Sequence, residues 1–394
     1  GGMVGLSIAN QLIERGISNN LIILDKEKKL GMHSSGRNSG VLHAGIYYEP
    51  NSLKAKVSVQ GAQRLKEWVV NKGLCLNKCG KVIIPQRKEL DIQLDKLIFR
   101  GKSNGAKVEL IDNKRLKEIV PCIRSKSGRA IWSPNTCVVN PLEIINLLQG
   151  ELELRGVKIL KSAKISKFEI EKKSLNLSDC TKIKYKHLIN CAGLNADKVA
   201  HEFEIGKNYK ILPFKGLYWK LKRNAPFQLK TNIYPVPDLN VPFLGVHFTP
   251  GSSTQDLISI GPTAIPAFGR ENYNGFDGLE PAMLINNLLL LSKQYLLNKG
   301  GFRKYVNEQA FLSFTPLLLN SAKELIPELK MEHIEISEKV GIRSQLFNLK
   351  TSKLEDDFLS LSGNSSTHIL NTISPAFTAS FALADLIIDK IKYD

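Results

Sequence analysis

The sequence predicts an α/β fold: a Rossmann-like dinucleotide-binding domain with an inserted α+β substrate domain that contains a mixed or antiparallel sheet. Three observations predict it. The chain opens on Gly1-Gly2-Met3-Val4-Gly5, followed by a helix-spaced apolar run and a short apolar strand that ends in Asp25. A second strand-like run, His187-Leu188-Ile189-Asn190-Cys191-Ala192-Gly193-Leu194, finishes on small residues, as needed where a strand passes beneath a bound dinucleotide. Residues 211–335 then change texture to period-two segments, many prolines and a helix-rich stretch, the pattern of an inserted unit.

Gly2 and Gly5 fit the second and third positions of a glycine turn, which needs close backbone approach to a pyrophosphate and a helix N-terminus facing it. The first glycine would lie just before residue 1, and no apolar strand precedes it. The expectation is therefore a chain that starts inside the motif, with unpaired backbone on the two neighbouring strands and less stability than the full gene product. Ile8, Leu12 and Ile13 recur at helical spacing along residues 3–15, and Gly16 supplies the stop. Leu21–Leu24 is a short buried strand ending at Asp25, about twenty residues past Gly5 and placed to accept from ribose hydroxyls.

Next comes Ser34-Ser35-Gly36-Arg37-Asn38-Ser39-Gly40-Val41-Leu42-His43-Ala44-Gly45-Ile46-Tyr47-Tyr48, which packs small, polar and ionisable residues where an apolar element would otherwise lie. That composition marks a site. Residues 52–71 are predicted helical through Leu53, Val57, Leu65 and Trp68, up to a turn at Gly73. Residues 80–140 mix short strands with a lysine-rich helix near Leu90–Ser103. Pro141 opens a helix through Leu154, and Val157–Leu160 and Ala163–Ile170 follow as strands. Helices dominate Pro281–Leu329, Leu359–Gly363 is strand-like, and Ser374-Pro375-Ala376-Phe377-Thr378 predicts a final helix capped by Ser374 with Pro375 in its first turn. The nucleotide domain is thus assembled from 1–50, 141–208 and 336–394, and the substrate domain from 51–140 and 209–335.

Composition narrows the function classes. The net charge of +18 comes from 55 basic against 37 acidic residues, mostly lysines scattered singly, which argues against a nucleic-acid partner and favours anionic substrates or an anionic bilayer surface. Cysteines at 75, 79, 122, 137, 180 and 191 form no CxxC pair and no metal-like spacing, so reduced thiols, no disulfide, no metal and a cytoplasmic setting are expected. No apolar run reaches the roughly 18 residues that span a bilayer. The nearest, Leu284–Leu297, is broken by Asn286, Asn287, Ser292 and Lys293; it reads as an amphipathic helix packed on its own domain, with a membrane-facing helix the alternative.

Over essentially its whole length the chain resembles the L-2-hydroxyglutarate oxidase/dehydrogenase family of the FAD-dependent, D-amino-acid-oxidase-like superfamily. The motifs that carry the resemblance are the Ser34–Tyr48 segment with Ser52-Leu53-Lys54-Ala55, Pro213-Phe214-Lys215-Gly216, Tyr234-Pro235-Val236-Pro237 with Pro242-Phe243-Leu244-Gly245-Val246-His247-Phe248-Thr249, Leu325-Ile326-Pro327, Gly341-Ile342-Arg343-Ser344-Gln345 and Ser374–Thr378. One departure is Lys215, where the family usually carries Arg; Lys keeps the charge and loses the planar fork.

The resemblance implies FAD as cofactor and hydride removal from the carbinol carbon of L-2-hydroxyglutarate, giving 2-oxoglutarate, with quinone or oxygen as the final electron acceptor. A base near neutrality must take the hydroxyl proton. His43 is the candidate, against a role in positioning flavin; His247 is the alternate base or a donor to a carboxylate. Burying two carboxylates requires fixed cations, for which Arg343 and Lys215 are the candidates, with a structural ion pair the alternative for Arg343. Tyr234 and Tyr47 are candidate phenolic donors to substrate.

The cofactor-binding set is Gly2, Gly5, Asp25, Lys26, Ser35, Arg37, Asn38, Ser39, Val41, Ile165, Ala192, Gly193, Ser374, Pro375, Ala376 and Phe377. Arg37, Asn38 and Ser39 are expected at the diphosphate or ribityl chain, and the helix from Ser374 at the flavin ring. A peripheral contact at the inner face of the cytoplasmic membrane is compatible with such an enzyme. Two rival readings are a related enzyme acting on glycerol 3-phosphate or an amine, and a basic RNA-binding flavoprotein, for which the sequence offers no basic patch interleaved with aromatics.

Overall fold

The computed structural model describes residues 1–237, 239, 244–253, 255–298, 303, 306, 307, 312, 314–363 and 365–391. The first helix, Met3–Glu14, starts at Gly2, which caps it in extended backbone, and ends at Arg15 before Gly16 turns the chain at φ +65°. It buries Met3, Leu6 and Ala9 against Leu30, Ile144 and Leu148. The helix Pro141–Leu154 matches its expected bounds because its start is written locally: Pro141 occupies the first turn and Asn140 accepts from the Leu142 amide at 3.1 Å. It leads to Lys158–Leu160, which pairs in parallel with Ile22–Leu24.

The parallel strands of the nucleotide side lie in two separate sheets. Leu188–Asn190 pairs in parallel with Ser366–Asn371, which continues antiparallel to Leu359–Gly363. Among the described residues, Ile22–Leu24 and Leu188–Asn190 each have one strand partner, and both border the same cavity. Below them lies the final helix, Ala376–Ile388, packed on the first helix and on Leu53–Asn71. Gly61 sets the second contact: a Cβ there would stand 2.6 Å from the Ala379 Cα, so a larger residue would push the two helices apart.

The larger sheet holds ten strands and is mixed. Its spine is the antiparallel pair Tyr209–Leu221 with Ile334–Asn348, in which Phe214 faces Arg343 and Lys215 faces Ile342. Further along, Asn232–Pro235 runs parallel to Lys81–Ile84, which is in turn antiparallel to Arg129–Ser133. One core joins Trp219, Ile233 and Phe248 of the sheet to Leu318, Leu319 and Ile326 on and after the helix Thr315–Lys323. Another joins Ile83, Ile131 and Tyr234 to Leu94 and Leu97 of the helix Ile92–Ser103.

The strand Ile334–Asn348 corrects the domain boundary expected at 336. It belongs to the larger sheet, because its ladder partners are the residues of Tyr209–Leu221. Helices Pro281–Leu297 and Thr315–Lys323 fall in the stretch expected to be helix-rich, with some residues between them, and motif residues Pro242 and Phe243, outside the described residues. Across the junction between the two parts, buried Arg270 donates to Asp197 Oδ1 at 2.6 Å and Oδ2 at 2.9 Å. Among the described residues no helix is long and apolar enough to cross a membrane.

Candidate active site

A cavity of about 2320 Å³ runs from the glycine turn to the larger sheet. All of the expected cofactor-binding residues border it, from Gly2, Gly5, Asp25 and Lys26 through Ser35, Arg37, Asn38, Ser39 and Val41 to Ile165, Ala192, Gly193 and Ser374–Phe377. His43, Tyr234, His247 and Arg343 border it too. Lys215 and Tyr47 do not.

At the glycine-turn end the polar groups are tied to one another. The Met3 amide, in the first turn of its helix, donates to Ser35 Oγ at 3.0 Å, and a Cβ on Gly2 would stand 2.9 Å from that oxygen. The Asp25 carboxylate accepts from the Glu27 amide at 2.9 Å. Asn38 donates to the Ser35 carbonyl at 2.6 Å and accepts from the Gly40 amide at 2.8 Å, which closes the loop. Gly40 is required there: its φ is +73°, and a Cβ would stand 2.1 Å from the Val139 carbonyl oxygen. Arg37 donates to the carbonyls of Met32 at 2.8 Å and Val340 at 3.2 Å, and stacks on Tyr273 at 4.1 Å. Its guanidinium thus braces the loop against the strand Ile334–Asn348. Glu27, His33 and Glu271 approach one another closely enough to share a cation. Lys26 already supplies one, its ammonium 2.8 Å from Glu271 and bonded to Glu27.

The sheet end, where the reaction residues gather, is different. The His43 amide donates to Thr378 Oγ1 at 3.1 Å, and that hydroxyl donates to the Val41 carbonyl at 3.2 Å, so the final helix fixes the segment. His43 Nε2 is 3.3 Å from Ser374 Oγ, while its Nδ1 is buried without a partner. Burial, then the charge of Lys81 and the neighbouring His247, push His43 down to about 3. It is therefore neutral at neutral pH. His247 Nδ1 lies 2.8 Å from the Gly245 carbonyl, an obligate acceptor, so Nδ1 carries the proton and Nε2 keeps its lone pair. Burial lowers His247 to about 4, against the Gly245 bond and with Lys81, and its ring stacks on Tyr234 at 4.0 Å. Burial raises both Tyr47 and Tyr234, so both phenols remain protonated donors.

Three expectations are corrected here. Lys215 does not join Arg343 at the cavity: strand alternation turns Phe214, Gly216 and Tyr218 toward it and sends Lys215 to the other face, where Nζ donates to Asn272 Oδ1 at 2.7 Å. Tyr47 packs behind the cavity wall against Lys81, its hydroxyl buried without a partner. Ser374 is not the helix cap: Pro375 takes the cap position, and the serine hydroxyl lies 3.3 Å from His43 Nε2.

Two cations escaped the sequence reading. Lys54 is buried beside the ring of Tyr48, and burial together with the charge of Arg343 lowers it to about 7, against Asp356 and Asp357. Lys81 is buried completely, between Tyr47 and Tyr234. Lys54 sits inside a quoted motif, Ser52-Leu53-Lys54-Ala55, and was visible as a charge on the first turn of a helix; Lys81 starts the run Lys-Val-Ile-Ile, which reads as a solvated strand end. The cavity wall here therefore combines two neutral imidazoles, the phenol of Tyr234 and the guanidinium of Arg343, with Lys54 and Lys81 buried outside the lining. That set can bind an anionic alcohol and accept its hydroxyl proton.

Comparison with known proteins agrees with this geometry. The model of the FAD dependent oxidoreductase family matches residues 1–390. L-2-hydroxyglutarate dehydrogenase, mitochondrial, of Caenorhabditis briggsae is 37% identical, covering 98% of this chain and 90% of that protein. The Homo sapiens protein of the same name is 33% identical over 100% of this chain and 87% of its own length. L-2-hydroxyglutarate dehydrogenase of Indibacter alkaliphilus is 32% identical over 98% and 96%. Among solved structures, L-alpha-glycerophosphate oxidase from Mycoplasma pneumoniae with FAD bound superposes with a TM-score of 0.74 at 18% identity, covering 100% of this chain and 93% of that one. Glycine oxidase from Geobacillus kaustophilus gives 0.70 at 16% identity, covering 100% and 94%. At such identities the structures speak for the fold alone.

Proposed function

The chain belongs to the FAD dependent oxidoreductase family, and from that premise we propose that it oxidises L-2-hydroxyglutarate to 2-oxoglutarate. The cofactor is FAD. Its fit is supported by the cradle at the glycine-turn end, where Gly2 and Gly40 leave no room for a side chain and the first helix opens onto the cavity. Gly2, Gly5, Asp25, Ser35, Asn38, Ser39, Val41, Ile165, Ala192 and Gly193 would hold it, with Pro375–Phe377 at the ring. When bound, FAD supplies the acceptor for the hydride of the carbinol carbon.

The observation that carries the reading is His43, neutral, on the wall of a cavity that Arg343 also borders, with Nε2 3.3 Å from Ser374 Oγ on that wall. Arg343 binds a substrate carboxylate, with Lys54 reinforcing its charge. His43 takes the hydroxyl proton. An arriving dianion opposes the cationic influence that keeps His43 low, so the base gains proton affinity when the substrate is in place. The N-terminal end of the final helix faces the same space and favours negative charge there.

Electrons leave to a quinone or to oxygen. The division into nucleotide and substrate domains belongs to the same reading, with Ile334–Asn348 moved to the substrate side. The nematode and human relatives are named as mitochondrial and the bacterial one is not. A cytoplasmic setting for this chain is supported by its six cysteines, all free thiols. Contact with a membrane surface is supported by the helix Pro281–Leu297, which exposes Ile285, Leu288, Leu289 and Leu296. Flotation with anionic vesicles tests that contact, and a protein left at the bottom of the gradient removes it.

Anaerobic titration of the flavin-loaded protein tests the reaction. L-2-hydroxyglutarate bleaches the flavin band and its D-enantiomer leaves it unchanged. Bleaching by glycerol 3-phosphate or by a secondary amine, with L-2-hydroxyglutarate inert, would replace this reading with that of a related oxidoreductase.

A further inference from the structure

Behind the sheet end of the cavity one cation has nothing to pair with. Lys81 begins the strand Lys81–Ile84, held between Asn232–Pro235 and Arg129–Ser133. Its side chain is 0% exposed, and its Nζ has no hydrogen-bond partner and, among the described residues, no ion pair. The ammonium lies 4.6 Å from the ring of Tyr47 and 5.0 Å from that of Tyr234. Two aromatic faces offset only part of what an ammonium loses on leaving water. The hydroxyl of Tyr47 and Nδ1 of His43 are also buried without partners. Tyr234, His43 and His247 border the cavity, whereas Lys81 and Tyr47 do not.

Among the described residues, the groups around Lys81 carry no negative charge at neutral pH. They are His43 and Tyr47 from the segment after the glycine loop, Tyr234 from the neighbouring strand, His247 from the strand beyond it, and the thiol of Cys79, which accepts from Asn232 and is itself raised by burial. A buried cation whose described neighbours are all neutral is favoured by an anion brought to the cavity side of Tyr234 and His43.

Resting on the function proposed above, we propose that Lys81 is the positioning residue that selects a doubly anionic substrate. Its charge acts across Tyr234 and His43 on the carboxylate distant from the carbinol carbon, and in the empty site it keeps His43 free to accept a proton. Burial holds Lys81 at about 7. Its charge is therefore present below that pH and lost above it, so affinity for a dianion falls on the alkaline side.

Calorimetry on the holoenzyme and its Lys81→Met and Lys81→Arg variants tests this, with 2-oxoglutarate and 2-oxobutyrate as non-reducing probes with and without the distal carboxylate. At pH 6, Lys81→Met weakens 2-oxoglutarate by about tenfold and 2-oxobutyrate by no more than about threefold, whereas Lys81→Arg keeps both near wild type. Between about pH 6 and 9 the wild type loses more affinity for 2-oxoglutarate than Lys81→Arg, because a guanidinium stays charged and the loss of charge at Lys54 is common to both. Carbon-13 imidazole titration of His43, assigned with His43→Gln, moves up by about one pH unit in Lys81→Met, since a cation has left its surroundings.

Equal probe affinities and an unmoved His43 titration in a Lys81→Met protein with normal flavin content overturn the proposal. If that variant does not fold, the wild type against Lys81→Arg comparison decides it, and equal pH dependence in the two proteins overturns it. A wild type that L-2-hydroxyglutarate fails to bleach defeats the function reading alone, while the His43 titration still decides the hold of Lys81 on the imidazole.

Discussion

The two ends of the cavity are built on opposite plans. At the glycine-turn end Arg37, Asn38 and Lys26 spend their hydrogen bonds on the protein itself, and shape is set by glycines with no room for a Cβ. At the sheet end His43 Nδ1, Tyr47 Oη and Lys81 Nζ are buried with no partner. The first end is a finished cradle, able to hold a constant cofactor with backbone and fixed braces. The second end stays unsatisfied, and an unpaired buried polar group is expensive unless an incoming group completes it. In the function proposed here the cofactor is recognised by shape and the substrate by charge.

Substitutions at the two ends break the comparison in different ways. His43→Ala lowers turnover by about 10³-fold with the flavin retained, the scale of a lost general base. Steady-state kinetics beside the flavin absorbance reads both, and the assignment reverses if His247→Ala produces that loss while His43→Ala does not. Arg343→Ala raises the Michaelis constant about 30-fold with a smaller change in turnover, as expected for loss of a charge-assisted contact; an unchanged constant removes Arg343 from the carboxylate.

The opposite signature is expected at the cradle. Gly40→Ala costs about 2 kcal/mol through its positive φ and its clash with Val139, so thermal melting falls and flavin is released on gel filtration, without a specific effect on substrate affinity in the fraction that keeps it. Lys215→Ala comes last. With its ammonium on Asn272 and away from the cavity, it changes the Michaelis constant by less than about threefold. A shift as large as that of Arg343→Ala would return Lys215 to the substrate.

Local chemistry explains what was legible in the sequence. The helix Pro141–Leu154 was readable because Asn140 and Pro141 write its start, and Leu359–Gly363 because its alternation needs no distant partner to be seen. The polar loop at residues 34–40 announced a site because glycines and an Asx turn at Asn38 build it from nearby atoms. Non-local facts were not legible. Alternation shows that Phe214 and Lys215 point apart, yet which of them meets the cavity depends on how the sheet lies over the nucleotide side. Lys81 is buried by strands distant in sequence, which a lysine at the head of a short apolar run does not announce. At Ser374 the letters of a capped helix were present, and the hydroxyl lies against His43 instead.

The contrast between a finished cradle and a charge-seeking substrate end is tested most directly by stopped-flow reduction with two alcohols that differ only in the far carboxylate. L-2-hydroxyglutarate should reduce the flavin with a second-order rate constant at least about 100-fold above that of L-2-hydroxybutyrate, because only the first completes the unpaired end. Equal rate constants for the two would contradict that division of labour.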